Sequence, residues 1–127
     1  MEIKDLNLLN WVKLFLGIGD NGTNYKNVIV IGLITDDGGL IKIDNSKNWQ
    51  SLDNIEPIEI NHNWLIDLGG EKIGLDYYFL RYNVHKPDNY DHYLFCEGDI
   101  VLRDIKYVHE LQNLYKSLIG EDLKLIH

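Results

Sequence analysis

Asp104-Ile105-Lys106-Tyr107-Val108-His109-Glu110-Leu111-Gln112-Asn113-Leu114-Tyr115-Lys116-Ser117-Leu118-Ile119-Gly120 is the stretch that organises the chain. Tyr107, Val108, Leu111, Leu114, Tyr115 and Leu118 recur at spacings of three and four, which places them on one stripe of an α-helix. The structural core is therefore expected at Val108, Leu111, Leu114, Tyr115 and Leu118. Lys106, His109, Glu110, Asn113, Lys116 and Ser117 fall on the opposite, polar side. Asp104 has the chemistry of an N-cap, and Gly120 that of a left-handed residue closing the helix. The rest of the chain reads mostly as strands, so this helix is the expected plug for a sheet.

Outward from the helix, the chain splits at Pro57–Asn63. Residues 1–60 read as a β-rich, barrel-like half and 61–127 as an α+β half, together one compact unit. Val28 to Ile34 is apolar and largely β-branched, broken only by Gly32, the marks of a strand. Asp36-Asp37-Gly38-Gly39 supplies a tight turn, and Leu40-Ile41-Lys42-Ile43 returns. Residues 6–18 fit either a helix or a strand by periodicity. Trp49 stands alone in the polar run 44–54. Ile55-Glu56-Pro57-Ile58-Glu59-Ile60 alternates as an edge strand would. In the second half, Asn61 or Asn63 caps a short helix over 64–68 that Gly69-Gly70 stops. Residues 76–84 and 92–96 read as strands, 99–103 as another, and Leu123 and Leu125 as a short edge strand. On strand 76–84, Tyr77, Phe79 and Arg81 share one face, and Tyr78, Leu80, Tyr82 and Val84 the other. One face meets the helix, and coverage of the other by the first half is expected.

Composition narrows the classes. The 127 residues are 45% hydrophobic, enough for a core that needs neither metal nor disulfide. The single cysteine, Cys96, excludes an intrachain disulfide and suits a reducing, cytoplasmic setting. A formal net charge of −8 argues against a duplex nucleic-acid partner, which needs a basic face. No segment approaches the ~18 apolar residues of a membrane span.

Motifs for chemistry are sparse. Gly17-x-Gly19-x-x-Gly22 spells a dinucleotide fingerprint but leads into a strand rather than a helix, so it reads as a turn. His85 and His92 bracket a loop with Asp88 and Asp91, ligand types some divalent ions accept, but the loop has ordinary solvated turn composition. No metal and no cofactor is expected. His92 and Cys96 lie ~13 Å apart along a strand, too far for a thiolate–imidazole pair. No serine sits in a nucleophile elbow. No catalytic residue is assigned, and the chain reads as a non-enzyme. The loop 85–91, with a stiffening proline, a tyrosine and two acids, suits a polar protein interface. The candidate binding residues are His85, Asp88, Tyr90 and Asp91, with Trp49 as a second location.

Lys106-Tyr107-Val108-His109-Glu110-Leu111-Gln112-Asn113-Leu114-Tyr115, then Leu118 and Gly120-Glu121-Asp122-Leu123, closely resembles a signature of small uncharacterised phage and prophage proteins. Those proteins end in a Val-His-x-Leu-Gln-Asn-Leu-Tyr helix followed by glycine and an acidic-leucine tail. Asn10-Trp11-Val12, Ile55-Glu56-Pro57-Ile58 and Trp64-Leu65 are similar to the same family's opening strand and mid-chain junction. The resemblance implies a small SH3-like β-barrel-type half followed by an antiparallel sheet packed on a C-terminal helix, and transfers no functional residues. The expected function is that of a non-enzymatic accessory protein of a phage or mobile element that binds a host or viral protein, with inhibition of a defence system as one form. The alternative is a small-molecule binder, such as a sponge for a nucleotide signal, with Arg81, Arg103 and nearby lysines as its only cationic side chains.

Overall fold

A computed structural model describes residues 6–19, 22–34, 40–43 and 49–125. The chain is mixed α+β, with two five-stranded antiparallel sheets followed by a C-terminal helix. The first sheet comprises β1 (Trp11–Gly19), β2 (Gly22–Ile34), β3 (Leu40–Ile43), β4 (Trp49–Ser51) and β5 (Ile55–Glu56), in the order β4-β3-β2-β1-β5. Residues 6–18 thus resolve as a short lead-in followed by strand β1. Val12, Leu14, Val28, Val30, Ile41, Ile43 and Ile55 alternate inward to make one buried core with Leu6. Bulges at Leu16 and Ile31 bend this sheet into a half-barrel and turn both side chains outward, leaving them 58% and 45% exposed. The turn expected at Asp36–Gly39 lies outside the described residues, although Ile34 pairs with Leu40 on either side of it. Gly17, Gly19 and Gly22 lie in the β1–β2 hairpin, with Gly19 paired to Gly22.

Pro57 ends β5 after two residues, so the alternating run 55–60 does not continue as one strand. The chain instead crosses to the second half beside residues 106–108. Ile60 N–H donates to Lys106 O (2.9 Å), and Val108 N–H to Ile58 O (2.8 Å). Helix α1 (His62–Asp67) follows, capped by Asn61, whose side-chain oxygen accepts from Trp64 N–H.

The second sheet has β6 (Glu71–Ile73), β7 (Asp76–Phe79), β8 (Tyr82–His85), β9 (Tyr93–Glu97) and β10 (Ile100–Ile105), in the order β10-β9-β8-β7-β6. Residues 76–84 are not one strand. They fold back at Leu80-Arg81, and Leu80 takes φ +58°, an unfavourable conformation for a branched side chain. This turn corrects the face assignment, because it brings Tyr77 opposite Val84 and Phe79 opposite Tyr82. All four point into the second core with Phe95, Ile105, Val108, Leu111 and Tyr115.

Helix α2 (Val108–Ile119) starts later than the expected Asp104 cap, which still belongs to β10. Its N-cap is Tyr107, and Glu110 Oε1 accepts from the backbone N–H of Lys106 and Tyr107 at 3.0 and 2.9 Å. Gly120 closes the helix at φ +86°, as its position suggested. Val108, Leu111 and Tyr115 are buried, whereas Leu114 is half-buried and Leu118 is 39% exposed. The apolar stripe is therefore narrower at its C-terminal end than its spacing implied. His109, expected on the polar face, is buried and stacks on Tyr107 with ring centroids 5.9 Å apart. The segment 123–125 forms no strand, and Leu123 is buried against the second core.

The two halves are tied by a buried amide. Gln112 of α2 accepts from Trp11 N–H (2.9 Å) and donates to the carbonyls of Leu9 (3.0 Å) and Leu123 (3.2 Å). Beside it, Asn10 Nδ2 donates to Asn113 Oδ1 at 2.8 Å. These bonds let the start of β1 lie against the helix with its backbone groups satisfied.

Candidate functional site

With the core side of the second sheet fixed, pleating and register define its other side. Ile73 of β6, Asp76 and Tyr78 of β7, Asn83 and His85 of β8, and Leu94 and Cys96 of β9 share that face. None of them belongs to either buried core. Ile73 is 56% and Tyr78 36% exposed, whereas Asn83 and Cys96 are buried, so the face is partly open and not wholly covered as expected.

Asp76 sits at its centre and is held from two sides. His85 Nδ1 lies 2.7 Å from Asp76 Oδ1, and Asn83 Nδ2 donates to Asp76 Oδ2 at 3.1 Å. An ionised Asp76 can only accept, so His85 Nδ1 carries a proton and Nε2 is the ring's remaining nitrogen. Antiparallel pairing makes this dyad by placing Asp76 directly opposite His85. Cys96 is paired with Asn83 in the same layer and is buried. Burial, and then the negative charge of Asp76, push its thiol pKa up, the opposite of what a nucleophilic cysteine needs.

The connection from β8 to β9 borders this face. Asn89 adopts a left-handed turn conformation at φ +60°. Tyr90 is 39% exposed but tethered: its hydroxyl donates to Asp104 Oδ2 of β10 (2.9 Å), and its ring stacks on His92 with centroids 5.6 Å apart. The bond to Asp104 raises the Tyr90 pKa. Asp88 and Asp91 are exposed. His92 lies between two acids, its Nδ1 3.4 Å from Asp104 and its Nε2 3.8 Å from Asp91. His85 and His92 thus engage different carboxylates and do not converge. Among the described residues no cluster of three or more His, Cys, Asp or Glu is placed to hold a metal.

The structure brings His85, Asp88, Tyr90 and Asp91 to one region, the open face and its bordering loop. Trp49 is elsewhere, on β4 of the first sheet, lying over Gly32 so closely that a Cβ there would meet its ring at 3.0 Å. Sequence reading missed Asp76, Tyr78 and Asn83. The signal for Asp76 and His85 was their nine-residue separation across a hairpin, legible only once the turn at Leu80-Arg81 is known.

A second concavity lies between the halves, lined by Trp11, Asn27, Asn61, Asn63, Trp64 and Asp67, with Leu125 beside them. Trp11 and Trp64 meet edge to face there, centroids 5.6 Å apart. No protein-family model, curated protein or solved structure matches the chain.

Proposed function

We propose that this protein is a non-enzymatic accessory of a phage or mobile element that acts by binding another protein, with inhibition of a host defence effector as its specific form. The observation that carries the binding reading is the open face of the second sheet. Ile73, Tyr78 and half-buried Leu94 surround the fixed polar group Asp76–Asn83–His85, and Tyr90 stands at the border. Apolar and aromatic surface around a few oriented polar groups is the composition of a protein interface. The phage assignment rests on the resemblance of the 106–123 segment. The SH3-like reading of the first half is supported by its antiparallel meander, with a short 3-10 turn (Leu52–Asn54) leading into the last strand. Among the described residues no helix is long and apolar enough to cross a membrane, which accords with a cytoplasmic site of action.

The test is capture of a partner from an expressing bacterial lysate with wild type, Tyr78→Glu and Tyr90→Ala. Both substitutions are expected to weaken capture about tenfold, the loss typical of an interface anchor, at unchanged melting temperature. Capture unaffected by either, but lost with Trp49→Ala, would move the surface to the first sheet.

The small-molecule reading has one feature in its favour, the hollow between Trp11 and Trp64. Its lining offers indole rings, three asparagines and an aspartate, but no lysine or arginine. That chemistry suits an uncharged or cationic ligand and weighs against a nucleotide phosphate.

A further inference from the structure

Asp67 is a carboxylate that the fold leaves alone. It is half-buried at the last position of α1, and among the described residues it makes no hydrogen bond or ion pair. The last turn of α1 carries no basic residue, so the negative end of the helix adds to this charge instead of offsetting it. A charge taken partly out of water without a partner costs folding free energy. Its surroundings point to a positive ligand as the missing partner.

Asp67 lines the hollow between the halves, whose volume of about 370 Å³ is within the ~300–1,000 Å³ of small-molecule sites. Asn61, Trp64 and Asp67 follow at spacings of three, on one face of α1 and its cap. Trp11 and Trp64, both half-buried, stand at 61° to each other, so they make two walls of a corner rather than a stack. Both residues are held at the backbone: Trp11 N–H donates to Gln112 Oε1 and Trp64 N–H to Asn61 Oδ1, each at 2.9 Å. Walls placed in advance lower the cost of binding. Two lysines come near in the chain, but neither lines the hollow. Lys13, on the same strand face as Trp11, holds its ammonium 5.7 Å over the Tyr25 ring, and Lys124 lines an adjoining depression that shares Trp11 and Leu125.

We propose that this hollow binds a small quaternary ammonium compound of the choline type, its charge against Asp67 and its methyl groups on the indole faces. The face of an aromatic ring attracts cations through its quadrupole, and tryptophan does so best. A quaternary nitrogen has no N–H to donate, so one carboxylate and two rings satisfy it, whereas a primary ammonium brings three donors that need acceptors. Asn27 and Asn63, exposed members of the lining, are left for the polar end of the molecule. A sugar also stacks on indole and bonds to amides, but it brings no positive charge to the unpartnered carboxylate. The inference rests on the small-molecule reading of this hollow and is independent of what the face around Tyr78 binds.

Calorimetric titration of the full chain with choline tests it, at matched ionic strength, beside the uncharged alcohol in which carbon replaces the quaternary nitrogen. Choline should bind with a dissociation constant of about 1 mM or tighter, and the alcohol of the same shape about tenfold more weakly or worse. Asp67→Asn should weaken choline about tenfold, and because Asp67 makes no contact of its own in the fold, the melting temperature should not fall. Trp64→Leu should abolish binding of choline; Asp67→Asn tests the charge even where that variant does not fold. Equal affinity for the two molecules, or choline binding unchanged by Asp67→Asn, would overturn the inference and leave a hollow that takes small molecules without regard to charge. No saturable binding of either molecule would remove both the inference and the reading on which it rests.

Discussion

Gln112→Leu removes the side chain that joins the two halves while keeping a similar volume. The amide satisfies three backbone groups, the N–H of Trp11 and the carbonyls of Leu9 and Leu123, and its own residue is only 5% exposed. A buried polar group left without a partner costs about 1–3 kcal/mol. The groups of Trp11 and Leu9 are partly buried and fall at the low end, because water can reach them, whereas the Leu123 bond is buried. The extra apolar burial of leucine offsets some of the loss, leaving ~2–4 kcal/mol, a large part of the ~5–15 kcal/mol that holds a domain together. Urea denaturation followed by tryptophan fluorescence is a direct assay, since Trp11 and Trp64 lie close to this junction. Gln112→Glu is the companion variant: it can still accept from Trp11 N–H but sets a carboxylate against two carbonyls, and should be at least as harmful. A loss under ~0.5 kcal/mol for Gln112→Leu, or a Gln112→Glu variant as stable as wild type, would refute the clamp.

Leu111→Ala should cost ~2–5 kcal/mol through lost burial and the cavity left behind, while Leu118→Ala should cost under ~1 kcal/mol; equal losses in chemical denaturation would misplace the helix. Burial raises the phenol pKa of Tyr77, Tyr93 and Tyr115 in the folded chain. Their contribution to stability is therefore intact below the ordinary value of 10.0 and is lost as pH rises through the folded values. Urea midpoints should fall across that alkaline window, and phenolate absorbance with every tyrosine ionising at the ordinary value would contradict it. Cys96, buried and with its pKa raised, should react with a thiol reagent far more slowly in the native chain than in urea; equal rates would mean that it is accessible.

Periodicity made the main helix, its closing glycine and the strand at Val28–Val30 legible, because each is a local pattern. What stayed hidden depends on partners distant in sequence. His109 and Gln112 have the composition of a solvated helix face, yet both are buried, Gln112 under residues 9–11 and 123, which no spacing rule reveals. The turn at Leu80-Arg81 has neither glycine nor asparagine, so nothing announced it, and missing it put Tyr82 and Val84 on the wrong face. The loop 85–91 stands out by composition alone. The Asp76–His85 dyad on the adjoining sheet face does not, since Asp76 meets His85 only through strand register.

The strand order of the two sheets has a consequence for how the chain folds. Apart from the β1–β5 contact, every strand pair in both sheets joins consecutive strands, so nearly all pairing closes short loops. The bonds of Gln112 to Leu9 and Trp11 and of Asn10 to Asn113 instead span 101 to 103 residues. Sheets assembled from hairpins can form before such distant contacts do, which makes the joining of the halves a late event. Weakening that junction should then leave the refolding rate nearly unchanged and show itself almost wholly as faster unfolding. The lifetime of the native chain, rather than the speed of reaching it, is what the buried amide governs.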